Sequence, residues 1–173
     1  MTYWKALVLA ALLPLASCGR PQSVTDLKAA ITALREAGDK AAIAEAGYHT
    51  LVAEAQTRLA AARPQLSASQ AEACSDALAK AADVDLFWRD TDGIAYGLTP
   101  VAQEPLTRLG VVKTKADFGQ WEANFIPLQQ SMDGESGDDE PAKVQNRNDL
   151  RHDLLKLAMN AAAPALKKAE EAL

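Results

Sequence analysis

From Val24 onward apolar side chains return every three or four residues, and that period more than anything else decides what this chain can become. Val24, Leu27, Ile31 and Leu34 are spaced 3-4-3, which puts them on one stripe of an amphipathic helix. Between such stripes the chain is filled with alanine, the strongest helix former, at 36 of 173 residues. No alternating run of strand length stands out, and no repeat of fixed period marks a solenoid. The expectation is an all-α protein, an antiparallel up-and-down bundle of four to six helices joined by short loops.

The punctuation predicts where those helices begin and end. Ser23 is placed to cap the first, with Asp26 in its first turn and Gly38 at its end. Asp39 would cap a second helix at once, making a tight hairpin; this helix carries Ile43, Leu51, Ala55 and Leu59 and stops before Pro64. Ser69-x-x-Glu72 reads as the capping box of a third, running through Cys74 and Leu78 toward Phe87. The texture then changes. "DLFWRDTDGIAYGLTP" combines glycines, a proline and aromatics and cannot be one helix, so the segment from Asp83 to Leu128 is expected to be irregular and aromatic-rich. A short helix follows Pro100 and ends near Gly110. A fourth main helix starts at Thr114 with Phe118, Trp121, Phe125 and Leu128 on one side, kinked by Pro127. After an acidic loop, the last helix starts near Pro141 with Leu150, Leu154, Leu157 and Ala161 inward, and Pro164 is expected to bend or split it.

The first residues follow a different logic. One cation, Lys5, precedes an apolar run from Ala6 to Ala16, and small residues lead to Cys18, the layout of a secretory signal peptide. The run is too short to span a bilayer, which takes about 20 apolar residues. Leu15-Ala16-Ser17-Cys18 closely resembles the lipobox of bacterial lipoproteins. The resemblance implies that Cys18 is alkylated by a diacylglycerol, that residues 1–17 are cut away, and that the new amine takes an acyl chain such as palmitate. One chain anchors marginally, and two or more anchor stably. Gly19 stands where an Asp would resemble a signal for staying in the inner membrane, so the resemblance implies the periplasmic side of the outer membrane. The chain then divides into a signal peptide (1–17), an anchor and tether (18–22) and one helical domain (23–173). Cys18 to Ser23 reaches at most roughly 17 Å, so the domain stays close to the membrane and to partners in or on it.

Charge narrows the partners. The formal net charge is −5, and losing Lys5 with the leader makes it −6. An acidic balance argues against nucleic acid and against peripheral adhesion to anionic lipid, and suits a basic partner. With Cys18 lipidated, Cys74 has no disulfide partner, and its place on a stripe with Ala71, Leu78 and Ala81 makes it a core residue.

No chemistry-bearing spacing stands out. His49 and His152 lack any metal-ligand pattern and fall off their apolar stripes, so both are expected to face solvent. Neither Asp90-x-Asp92-Gly93 nor the 133–140 loop has a calcium-loop register, and no nucleophile elbow is present. The expectation is no cofactor, no metal and no catalytic residue. Phe87, Trp88, Arg89, Tyr96 and Trp121 combine aromatic faces with a cation and are the candidate partner or ligand surface. Their alternative role is core and lid. The leading functional expectation is a lipid-anchored binding module, either an envelope adaptor or an inhibitor or immunity-type lipoprotein. The rival is a bundle that binds a small ligand among its aromatics, and a weaker one is an enzyme whose site has no recognisable motif.

Overall fold

The computed structural model describes residues 20–40, 45–89, 100–111 and 140–173. They form α1 (Gln22–Lys40), α2 (Glu45–Ala62), a 3-10 turn (Arg63–Gln65), α3 (Ala68–Arg89), α4 (Pro100–Arg108) and α5 (Glu140–Ala172). Among the described residues there is no strand, so this part of the chain is all-α as its periodicity requires. The fourth main helix expected from Thr114 and the acidic loop after it lie outside the described residues.

The α1 stripe is buried as its spacing dictates: Leu27, Ile31 and Leu34 are fully enclosed. Each such side chain contributes about 1.5–3 kcal/mol by leaving water. On α2 the inward face is Tyr48, Val52, Ala55 and Ala62, with Leu51 and Leu59 half-buried at its flanks. The expected Leu51–Ala55–Leu59 line is therefore turned toward Tyr48, whose large ring wins the central position. On α3, Cys74, Leu78 and Ala81 are buried as expected, joined by Ala77, Val84 and Phe87.

The ends differ from the sequence reading in instructive ways. α1 starts at Gln22, where the Pro21 carbonyl accepts from the Val24 and Thr25 amides at 3.0 and 3.2 Å. Ser23 is thus inside the helix and does not cap it; its hydroxyl instead donates to Gln65 Oε1 at 3.0 Å. Gly38 and Asp39 lie within α1, so neither ends one helix nor opens the next. The capping box of α3 sits two residues earlier than expected. Ser67 N–H donates to Gln70 Oε1 at 2.9 Å and Gln70 N–H to Ser67 Oγ at 3.3 Å, so Gln, not Glu72, closes the box. α4 ends where Gly110 was expected to end it. Gly110 has φ 72°, and the amides of Gly110 and Val111 return to the Thr107 and Leu106 carbonyls at 3.0 Å, a Schellman motif.

α5 carries the largest correction. It is one helix through Pro164, which is exposed, so water can serve the carbonyl that the proline cannot. Its inward residues are Leu154, Leu155, Ala158, Met159, Ala162, Ala165, Leu166 and Ala169, whereas Leu157 is 42% exposed. The buried line is mostly alanine, and small side chains bring the helices close. A Cβ added at Gly38 of α1 would lie 3.8 Å from Met159 Cβ.

The helices meet in a defined order. α1 packs on α2 and α5, and α3 packs on α2, α5 and α4. Ser23 at the start of α1 meets Gln65 beyond the end of α2. Gln70 at the start of α3 donates through Nε2 to the Ala172 carbonyl at the end of α5, at 2.8 Å. Thr32 and Arg35 in the middle of α1 hold Glu170 of α5, each at 2.8 Å.

Candidate functional site

Asp85 is the one charged residue buried among the described residues, at 4% exposure. It falls on α3 because the core stripe Cys74, Leu78, Ala81 continues to it with the same 4-3-4 spacing. Removing a carboxylate from water costs several kcal/mol unless partners replace the solvent. Two partners do so here, both on the same oxygen. His49 of α2 sets Nδ1 2.9 Å from Asp85 Oδ2, and Arg89, one turn further along α3, sets Nη2 3.2 Å from it. The other oxygen, Oδ1, is buried and has no hydrogen-bond partner among the described residues. An orphaned buried acceptor of this kind calls for a donor.

Around this carboxylate the elements put aromatic and polar groups. Tyr48, the neighbour of His49, is fully buried, and its ring lies 5.7 Å from that of Trp88 with the planes tilted by 35°. Burial, and next to it the charge of Asp85, push the Tyr48 phenol well above its usual range, so it remains a neutral O–H. His49 and Arg89 each keep about half of their side chain in solvent, at 49% and 48%. Each therefore spends one donor on Asp85 and presents the rest outward. Beside them Leu86 is a large apolar residue left 36% exposed. α4 is fixed against the same stretch of α3: Arg108 donates from Nε and Nη2 to Asp83 Oδ1 at 2.9 and 2.6 Å, and its Nη1 reaches Glu104 at 2.7 Å.

The residues singled out from sequence separate. Phe87, Trp88 and Arg89 are consecutive, so a helix points them about 100° apart. Phe87 is fully buried and belongs to the core; Trp88 is half-buried against Tyr48; Arg89 is the ion-pair partner of Asp85. Tyr96, Trp121 and the lipidation residue Cys18 lie outside the described residues. His152 is exposed on α5 as expected. His49 is exposed too, but its ring turns back onto Asp85 and is no free surface group. The site residues that the sequence reading missed are Asp85, His49 and Tyr48. An acid on an apolar stripe was the available signal for the first. Cys74 is buried, and burial pushes its thiol up, away from reactive thiolate character.

Asp85 stands 17 residues along α3 from its first residue, so the site is roughly 26 Å from the start of that helix. No family model, curated protein or solved structure matches the chain.

Proposed function

We propose that this chain is a lipid-anchored helical module on the periplasmic side, in the outer membrane, that works by binding a protein rather than by catalysis. Its role would be that of an envelope adaptor or of an inhibitor or immunity-type lipoprotein. The observation that carries the reading is the sequence Leu15-Ala16-Ser17-Cys18 followed, after three residues, by the start of α1 at Gln22. A chain lipidated at Cys18 has almost no tether before its first helix.

The helices form an antiparallel up-and-down bundle in this reading. Three end-to-end meetings support it: Ser23 with Gln65, Gln70 with Ala172, and His49 near the start of α2 with Asp85 near the end of α3. Of the surface expected from sequence, Trp88 and Arg89 are the members this reading keeps among the described residues.

Asp85 supports a site there. Buried ionic groups can often be replaced by apolar ones of similar size at no cost in stability, so a chain selected only for its core has little use for a carboxylate in that position. Held by His49 and Arg89 and flanked by Leu86, it makes an amphipathic surface of the kind that anchors a partner. A photo-crosslinker placed at Leu86 in the full chain, in its host, tests this against one at Ala60. The reading expects a protein-sized adduct at Leu86 only; adducts at neither position, or equally at both, defeat it.

The unpartnered Asp85 Oδ1 favours one second reading, a small ligand that brings a donor to it. Native mass spectrometry of the protein purified gently from its host separates the two. An increment of a few hundred daltons beyond the lipid means a small ligand, and a protein-sized one means a partner.

A further inference from the structure

Arg89 and Arg108 each hold an acid of α3, in different ways. Arg108 is saturated: Nε and Nη2 go to Asp83 and Nη1 to Glu104. Arg89 makes one contact, from Nη2 to Asp85 Oδ2 at 3.2 Å, and no other among the described residues. A guanidinium is a planar fork of five N–H donors with two edges, each offering two parallel donors: Nε with one Nη, and the two Nη together. A single contact to one oxygen closes at most one edge. The other edge of Arg89 is therefore open, on a side chain that is 48% exposed.

The hold at its other corner separates Arg89 from a free surface cation. Asp85 is buried, and His49 Nδ1 meets the same oxygen at 2.9 Å, so the carboxylate is held from two helices and in turn holds Arg89. Arg63, exposed and with no ion pair among the described residues, has no such support. A partner docking on Arg63 would have to order a long side chain, a cost that Arg89 has in part already met. Leu86 stands three residues before Arg89, is its neighbour on the helix surface, and is 36% exposed. Asp83 and Glu104, the acids of this region, are both taken by Arg108.

We infer that the open edge of Arg89 takes a carboxylate of the protein partner, an aspartate or glutamate set beside an apolar side chain that covers Leu86. This contact rests on the protein-binding reading and adds to it the chemistry of the group that docks. A carboxylate meets a two-donor edge with two parallel hydrogen bonds, which a lone carbonyl oxygen does not. Asp85 is then a positioning residue: it fixes the fork and leaves the partner the edge that it does not use. The chain's net charge of −5 acts at longer range and fades over a Debye length of about 8 Å at physiological salt. It steers approach, whereas the group that sits on Arg89 is chosen at contact.

The test uses the full chain in its host with the photo-crosslinker at Leu86, and reads the yield of the protein adduct as Arg89 is changed. Arg89→Gln keeps a donor for Asp85 but removes the charge and the two-donor edge; Arg89→Lys keeps the charge as a single point. The yield should fall about tenfold in Arg89→Gln and by less in Arg89→Lys. Mass spectrometry of the adduct locates the contact on the partner. Arg89→Glu should abolish the adduct, and changing the partner's acid nearest the mapped contact to lysine should restore it. A role of Arg89 confined to the fold would not respond to that charge exchange. Undiminished capture by Arg89→Gln, or a mapped contact with no acid within side-chain reach, overturns the carboxylate contact and leaves protein binding intact. Loss of capture that no charge exchange restores assigns Arg89 to the fold and overturns the contact as well. No adduct at Leu86 in the otherwise unchanged chain defeats the protein-binding reading, and the contact with it.

Discussion

His49 Nδ1 stands 2.9 Å from Asp85 Oδ2, so a half-exposed imidazole on α2 covers the one carboxylate buried in α3. The pair should behave as a unit. His49→Ala leaves Asp85 with Arg89 alone and should cost about 1–3 kcal/mol in urea unfolding. Asp85→Leu removes the charge that needs covering, and should leave stability within about 1 kcal/mol of wild type or raise it. In the Asp85→Leu background the His49→Ala change should then cost almost nothing. Additive effects in this cycle would show that the contact carries no coupling.

Phe87 and Trp88 are adjacent in sequence and opposite in role. Phe87 is fully buried, and Phe87→Ala should cost about 3–5 kcal/mol. Trp88 is half-buried and holds Tyr48 mainly through the ring pair, worth about 0.5–1.5 kcal/mol beyond its buried area. Trp88→Ala should therefore destabilise clearly less than Phe87→Ala while weakening capture of the partner crosslinked at Leu86. Equal losses of stability would return Trp88 to the core.

Stability should fall at both ends of the pH scale, for different residues. The Thr32 hydroxyl, ahead of the Arg35 guanidinium, holds the Glu170 carboxyl below its usual range in the folded state. That contribution is present above the unfolded value of about 4.3 and is lost as pH falls through the folded one, so Glu170→Gln should flatten the acid limb. Tyr48 and Cys74 are shifted the other way, upward, by burial. Their contributions are complete below the unfolded values of about 10 and 8.5 and are lost as pH rises beyond them, at up to about 1.4 kcal/mol per pH unit for each group. Tyr48→Phe should remove the steeper, more alkaline part of that limb in thermal melts taken across pH. An unchanged slope would mean that Tyr48 is not enclosed.

Leucine and alanine explain how much of this could be read from the chain. Where leucine, isoleucine and valine mark the stripe, as in α1, the period located the core face correctly. In α5 the reading followed Leu150, Leu154, Leu157 and Ala161; Leu154 is buried as expected, but Leu157 is exposed, and most of the buried face is Leu155, Ala158, Ala162, Ala165 and Ala169. Alanine is apolar enough to be buried and small enough to be exposed without cost, so a stripe of alanines carries little signal. Caps failed for a related reason. Ser67 and Ser69 offer the same side chain two residues apart, and the choice of Ser67 depends on Gln70 also reaching Ala172 across the helix pair. The site was partly legible. Asp85 interrupts an apolar stripe and could have been noticed, but its pairing with His49 joins residues 36 apart and depends on how α2 lies on α3.

Two glycines should respond to alanine in opposite directions. Gly38 lies inside α1, where glycine is worse than alanine by about 0.5–1 kcal/mol. The added methyl would meet Met159 Cβ at 3.8 Å, ordinary van der Waals contact, so Gly38→Ala should stabilise by about that amount. Gly110 has open space around it but a φ of 72°, so sterics within its own backbone decide the outcome. Gly110→Ala should cost about 1–2 kcal/mol, and Gly110→Asn less, because asparagine tolerates the left-handed region. Urea midpoints for the three variants check the set. A loss of stability in Gly38→Ala would mean that α1 and α5 approach more closely than their alanine face allows, and an indifferent Gly110→Ala would mean that α4 does not need its left-handed stop.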